Sequence, residues 1–374
     1  MAKAVYVGVN SKARKMKKAY IGIGGKARKV KKMYIGVGGK ARLCYSAELE
    51  KVGMAAALST TRYDMRAATV GKYALFAGGY ISKSSFGYSV SSSVDAYNTS
   101  LTKSTPTELS CKRCGHAAAS VGGYALFAGG ASSYNLLNFY ENLVSAVDAY
   151  DASLTRSAAH IIGATVAIGG AAVGNYALFA GGTVDGIITK DTVTSDVLAY
   201  DPSLTFTTAP LLSVARANVK GASAGNYALF AGGRADGFCT TVDAYNASLT
   251  RTTATALSST KNNSAAATVG NHAIFVGNTA SADIYDASLT KTSAAILSTA
   301  RTGLAATTVG DYAIFSGGGV ADFCDASLTR SSIGTSMTGY DMGAATIGDY
   351  ALFAGGYSDE KSVTIYDSVE VYTA

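Results

Sequence analysis

Tyr73-Ala74-Leu75-Phe76-Ala77-Gly78-Gly79 recurs down this chain, and its recurrence decides the fold. Further copies begin at Tyr124, Tyr176, Tyr227, His272, Tyr312 and Tyr350, with starts 51, 52, 51, 45, 40 and 38 residues apart. The fifth copy is altered to His272-Ala273-Ile274-Phe275-Val276-Gly277-Asn278 and the sixth to Tyr312-Ala313-Ile314-Phe315-Ser316-Gly317-Gly318. Upstream of each phrase lies a strand of small residues, such as Ala117-Ala118-Ala119-Ser120-Val121. Downstream, past a loop of varying length, comes Val94-Asp95-Ala96-Tyr97, echoed at 147–150, 197–200, 242–245, 282–285, 321–324 and 369–372. A short turn (Asp151-Ala152-Ser153-Leu154-Thr155) then leads into a polar, threonine-rich strand. Each unit therefore holds four short strands bounded by Gly, Asn and Asp.

A four-strand unit with a period of about 40–50 residues predicts a β-propeller, and seven copies predict seven blades. Alanine suits the crowded strands near the axis, and the glycine pair lets the backbone bend without a Cβ clash. The Leu and Phe of the phrase are expected between neighbouring blades, since a repeat buries its faces only against its neighbours. The chain ends on a third strand, Val369-Glu370-Val371-Tyr372-Thr373-Ala374, with no fourth after it. A spare fourth strand stands in front, where residues 47–59 parallel 247–258. That N-terminal strand is expected to complete the last blade and remove an open sheet edge.

The glycine pair after a hydrophobic strand, the tyrosine ending the third strand, and Arg62, Arg113, Arg216 and Arg301 ahead of the first strand make residues 47–374 resemble kelch repeats. The resemblance implies a kelch-like propeller in which such arginines often hydrogen-bond between blades. The chain departs from the pattern in having no tryptophan where kelch repeats usually carry one on the fourth strand.

Residues 1–46 differ in kind. Val5-Tyr6-Val7-Gly8-Val9, Ala19-Tyr20-Ile21-Gly22-Ile23 and Met33-Tyr34-Ile35-Gly36-Val37 recur every 14 residues, with Lys-Ala-Arg segments between them. Gly24-Gly25 and Gly38-Gly39 are hairpin-turn signals, so a small basic β-meander of long strands is expected. This stretch holds 13 Lys and Arg and no acid; the remainder holds 32 − 13 = 19 basic and 25 acidic residues, or −6. Such asymmetry marks an interaction segment. Lysines that keep sheet edges soluble are the plainer reading. Nucleic-acid binding fits less well, because strict periodicity suits sheet assembly better than groove binding. With few large apolar side chains the segment can hardly bury a core alone, so docking on a partner or on copies of itself is expected. Candidate docking residues are Lys15, Lys17, Lys29, Lys31, Tyr20 and Tyr34. The segment also resembles the basic Tyr-Ile-Gly-Val-Gly-Gly repeats of prophage tail and virion proteins of Gram-positive bacteria. That resemblance implies a virion setting, with residues 1–46 attached to the particle and the propeller displayed.

No run of about 20 apolar residues is present, so no membrane insertion is expected. The N-terminus lacks the apolar stretch of a signal peptide, so synthesis in the host cytoplasm is expected. The lone Cys111-Lys112-Arg113-Cys114 advertises no second ligand pair for zinc. His116, His160 and His272 follow no ligand spacing, and neither a Ser/His/Asp constellation nor a phosphate loop stands out. No enzyme, metal or cofactor is expected.

Binding is expected on the face shared by the second-to-third and fourth-to-first loops, which vary between units. The first two second-to-third loops are rich in Tyr, Ser, Asn and Gly, a paratope-like composition. They offer Tyr80, Phe86, Tyr88, Tyr134, Asn135, Phe139 and Tyr140 as ligand candidates. Tyrosines packed down over blade edges are the plainer alternative. The fourth-to-first loops rim the axis and carry Arg62, Tyr63, Asp64, Arg66, Lys112, Arg113, His116, Arg216, Asn218, Lys220, Lys261, Asn262, Asn263, Arg301, Tyr340 and Asp341. From them Arg62, Arg113, Arg216 and Arg301 are ligand candidates if free of structural pairing, and they would suit an acidic glycan or peptide. The expected function is a phage tail-associated structural protein whose propeller binds a host-surface glycan or protein. The alternative is a kelch-type interaction scaffold with no receptor-binding role.

Overall fold

The computed structural model describes residues 6–9, 12–15, 19–23, 26–30, 32–37, 40–46, 48–84, 87–135, 139–261, 265–358 and 364–374. Before residue 47 it describes side chains only at 19, 21, 30, 33 and 34. The described residues are all-β with no helix, and they include eight four-stranded antiparallel sheets, an architecture of propeller type.

Seven of these sheets each contain one copy of the phrase as second strand. In the first unit Tyr73–Ala77 lies between Arg66–Val70 and Val94–Asn98, with Lys103–Ser104 at the edge. In the unit of the last phrase, the third strand Val369–Thr373 pairs with Glu50–Ala55, the strand expected from residues 47–59. The first strands neighbour one another in a closed cycle, and Gly343–Ile347 returns to Arg66–Val70. Seven buried clusters each span two successive units, the last joining Leu352 and Val371 to Phe76 and Tyr97. The phrase pattern gives this directly. Leu75 packs to one side and Phe76 to the other, each fully buried, and each such side chain contributes about 1.5–3 kcal/mol.

Two features bind neighbours further. The third-strand tyrosine stacks edge-on against its unit's phrase Phe, as Tyr97 does on Phe76 at 5.9 Å. In five units its hydroxyl donates to a carbonyl of the preceding unit, as Tyr97 does to Ala56 (2.7 Å), Tyr150 to Thr107 (2.8 Å) and Tyr245 to Pro210 (2.8 Å), whereas Tyr372 donates to Glu370 of its own strand. Around the axis a chain of hydroxyls ties each first strand to the one before it. Thr69 donates to the Thr346 carbonyl (2.8 Å), Ser120 to Thr69 (2.7 Å), Ser223 to Ala172 (2.8 Å) and Thr268 to Ser223 (3.0 Å). Thr308 and Thr346 donate likewise to Thr268 and Thr308. All occupy the position four residues before the phrase; only the third unit, with Ala172, lacks the hydroxyl.

The eighth four-stranded sheet was not foreseen. The second-to-third loops of the first two units form hairpins, Tyr80–Ser84 with Gly87–Val90 and Ala131–Tyr134 with Tyr140–Leu143, which join through Tyr88 and Tyr134.

The basic segment departs from the expected meander. Its strands form three separate two-stranded hairpins: Tyr6–Val9 with Lys12–Lys15, Tyr20–Ile23 with Lys26–Lys29, and Lys32–Val37 with Lys40–Ser46. Each hairpin pairs strands that lie next to one another in sequence, through Val9 and Lys12, Ile23 and Lys26, and Val37 and Lys40. The linking Met16-Lys17-Lys18 and Lys31 contain none of the Gly, Pro, Asn or Asp that a tight turn between hairpins would use.

Candidate functional site

The loops of the variable face converge on a cavity of about 350 Å³ at one end of the axis. Second-to-third loops supply Tyr80, Tyr134, Tyr140, Arg234 and Phe238, and fourth-to-first loops supply Tyr63, Asp64, Arg66, Asn218, Lys220, Lys261 and Asp341. The two loop classes therefore share a face, as strand connectivity requires.

A backbone ring supports the mouth. The residue nine positions before each phrase is Asp64, Gly115, Ala167, Asn218, Asn263, Gly303 or Asp341. Every described member has a left-handed backbone, with φ from 50° to 64°. That conformation strains most residues but suits Asp, Asn and Gly. Its amide donates to the same residue one unit back: Asp64 to Asp341 (2.7 Å), Ala167 to Gly115 (2.8 Å), Asn218 to Ala167 (2.7 Å), Asp341 to Gly303 (2.8 Å). Asp64 and Asp341 thus become neighbours although 277 residues separate them in sequence.

Two positions later, where five units have Ala or Gly, the first carries Arg66 and the fourth Lys220. Arg66 Nη1 pairs with Asp64 Oδ1 at 2.6 Å. Among the described residues neither the Lys220 ammonium nor the Asp341 carboxylate has an ion pair or side-chain hydrogen bond. Burial, with the Asp64 charge adding, pushes the Asp341 carboxyl up to about 6, against the pull of Lys220 and Arg66. Burial, followed by Arg66, lowers Lys220. Phe238, also in the lining, is 46% exposed, with the Arg234 guanidinium 5.8 Å from its ring centre.

The tyrosine candidates form a packed cluster. Tyr80 is buried, and Tyr88, Tyr134 and Tyr140 pack against it with Tyr63, Tyr357 and Cys114. Ring centres lie 5.8 Å apart for Tyr80–Tyr134 and 4.9 Å for Tyr134–Tyr140. Tyr80, Tyr134 and Tyr140 still contribute to the cavity wall. Asn135 and Phe139 close the second hairpin, the Phe139 amide donating to Asn135 Oδ1 at 3.1 Å. Phe86 lies outside the described residues.

The arginine candidates are placed elsewhere than expected of ligand-binding groups. Arg62, Arg113 and Arg216 are fully buried, and Arg301 nearly so. Each pairs with the third-strand aspartate of its own unit: Asp95, Asp148, Asp243 (2.9 Å) and Asp322. Each also donates to backbone carbonyls, as Arg216 does to Gly232 and Val214, both at 2.8 Å. The side chain is long enough to reach inward from the rim, and a buried aspartate draws it there, with a second, partly exposed cation such as Arg156 or Arg251 approaching the same carboxylate at 2.8 or 3.6 Å. These four guanidiniums offer no free cation to a ligand.

His116 is wholly buried; burial first, then Arg66 and Arg113, hold it well below its ordinary range, so it is neutral at pH 7. Cys114 is buried beside Tyr80, and Cys111 is a second free thiol. Among the described residues no cluster of three or more His, Cys, Asp or Glu could hold a metal ion. Of the docking candidates Tyr34 is 57% exposed. Lys17 and Lys31 lie outside the described residues, and Lys15, Lys29 and Tyr20 are placed only as strand backbone.

Sequence reasoning placed Asp64, Arg66, Lys220 and Asp341 on the rim without selecting them, and missed Arg234 and Phe238. The available signal was charge at a repeat position that is Ala or Gly in most units. No protein-family model matches the chain, and no curated protein matches it.

Proposed function

We propose that this chain is a seven-bladed, kelch-like β-propeller carried on a bacteriophage particle. Residues 1–46 dock it to tail or virion proteins, or to copies of itself, and the propeller meets a host-surface glycan or protein. The blade count rests on the seven phrase-bearing sheets, their closed cycle and the hydroxyl chain; the sheet of Tyr88 and Tyr134 is an accessory built from loops. The observation that carries ligand binding is the mouth cavity. It is a rigid concavity lined by aromatic rings and unmatched charges, on the face where the units differ most. The phage setting rests on the basic hairpin repeats at the front.

Labelled full-length protein, incubated with a panel of Gram-positive cells, tests the reading. Saturable binding to a subset of strains, lost in Lys220→Glu, is the expected result. Particles that carry the protein while no strain binds it would favour the scaffold alternative.

A further inference from the structure

Resting on that ligand-binding reading, we propose that the mouth cavity takes a small zwitterion, its anionic group on Lys220 and its ammonium group on Asp341. The volume, about 350 Å³, is at the low end for small-molecule pockets and fits one sugar ring or an amino acid rather than a long chain. The local charges are already divided: Asp64 pairs with Arg66 and Lys261 with Asp283, and Arg234 lies exposed against Phe238, leaving Lys220 and Asp341 as the partly buried charges without an ion pair among the described residues. Partly burying a lysine and an aspartate without partners opposes folding. Five of the seven units avoid that cost with Ala or Gly at the Lys220 position. Such an uncompensated pair, aimed into a cavity, marks a site kept for a ligand. A ligand of a single sign would satisfy one group and leave the other desolvated. The tyrosine wall and the half-exposed Phe238 give a ring or aliphatic body something to lie against.

Both charges are held in place. The backbone ring fixes Asp341, and Lys220 begins a first strand. Besides Lys220, the charged groups around Asp341 are Asp64, Arg66, Arg234 and Lys261. Because Asp341 titrates near 6, its anion is present above that pH and lost below it. Zwitterion binding is therefore expected to weaken as pH falls through 6.

Calorimetric titration of the full chain with muramic acid, alanine, glucuronate, glucosamine and glucose tests this. Muramic acid and alanine separate an amino sugar acid from an amino acid. One of them is expected to bind at least about ten-fold tighter than every singly charged or neutral sugar. Asp341→Asn keeps a residue that tolerates the left-handed backbone, and Lys220→Met keeps the stem. Each is expected to lower affinity at least about ten-fold, and Asp341→Asn to flatten the dependence between about pH 5 and 7, where the ligand keeps both charges. Glucuronate, glucosamine or glucose binding as tightly overturns the proposal, as do folded variants that bind unchanged. Cells bound while no probe binds would sink the zwitterion and spare the receptor reading; a probe bound while no cell is would do the reverse.

Discussion

The fourth unit allows the buried ion pairs to be tested against a replacement that the chain itself contains. Arg216, fully buried, pairs with Asp243 at 2.9 Å, and Arg251 approaches the same carboxylate from the edge strand at 3.6 Å. Four other units repeat the trio, as in Arg113, Asp148 and Arg156. In the third unit all three positions change together, to Thr165, Leu198 and Phe206. The attraction at 2.9 Å is about 6 kcal/mol at an effective dielectric near 20, and desolvation offsets much of it. Asp243→Leu alone strands a buried guanidinium with only carbonyls for partners, and is expected to destabilise by about 3–5 kcal/mol. The triple variant Arg216→Thr, Asp243→Leu, Arg251→Phe removes the charges as a unit. It is expected to lie within about 1 kcal/mol of the parent, or above it. Urea unfolding followed by far-UV circular dichroism measures both, with unchanged m-values required for comparison. A single variant costing under about 1 kcal/mol, or a triple no better than the single, would refute the reasoning.

Three further outcomes are expected. Ala172→Ser supplies the hydroxyl that the axial chain lacks and should raise stability by about 0.5–1 kcal/mol; a lower urea midpoint would show that the gap is needed. Burial alone would raise the Glu370 carboxyl, but Lys51, Thr335, Tyr372 and the Ser336 amide outweigh it and hold it below its ordinary value. A depressed carboxyl stabilises above its unfolded pKa and loses that contribution as pH falls through the folded one. Glu370→Gln should therefore be less stable than the parent at pH 7, with the difference shrinking toward acid in thermal melts at stepped pH. Tyr134→Ala with Tyr140→Ala opens the tyrosine cluster beneath the loop sheet and should cost about 2–4 kcal/mol. Full stability of that double variant would show those rings to be loose surface groups.

Much of the fold was legible because each unit repeats a strand pattern with a fixed period. Leu and Phe alternate across the strand, so their spacing alone assigns them to opposite neighbours, and the missing fourth strand at the C-terminus names its replacement at residues 47–59. The loop sheet was hidden because its two hairpins, each paired within itself, join only through Tyr88 and Tyr134, a pairing between loops of different units that no local stretch signals. The meander failed for the opposite reason: among the described residues each basic strand pairs only with its neighbour in the same hairpin.

The sequence by itself determined which residues recur, hence the four-strand unit, the faces of its strands and the sorting of loops to one end. Only the tertiary structure decided which rim charges are spent and which remain. Arg62, Arg113, Arg216 and Arg301 turn inward to aspartates on their own third strands, while Asp341 and Lys220, three units apart, meet at the axis without partners. That outcome depends on desolvation and on ring closure, which brings the last unit beside the first; neither is written in any local stretch of chain.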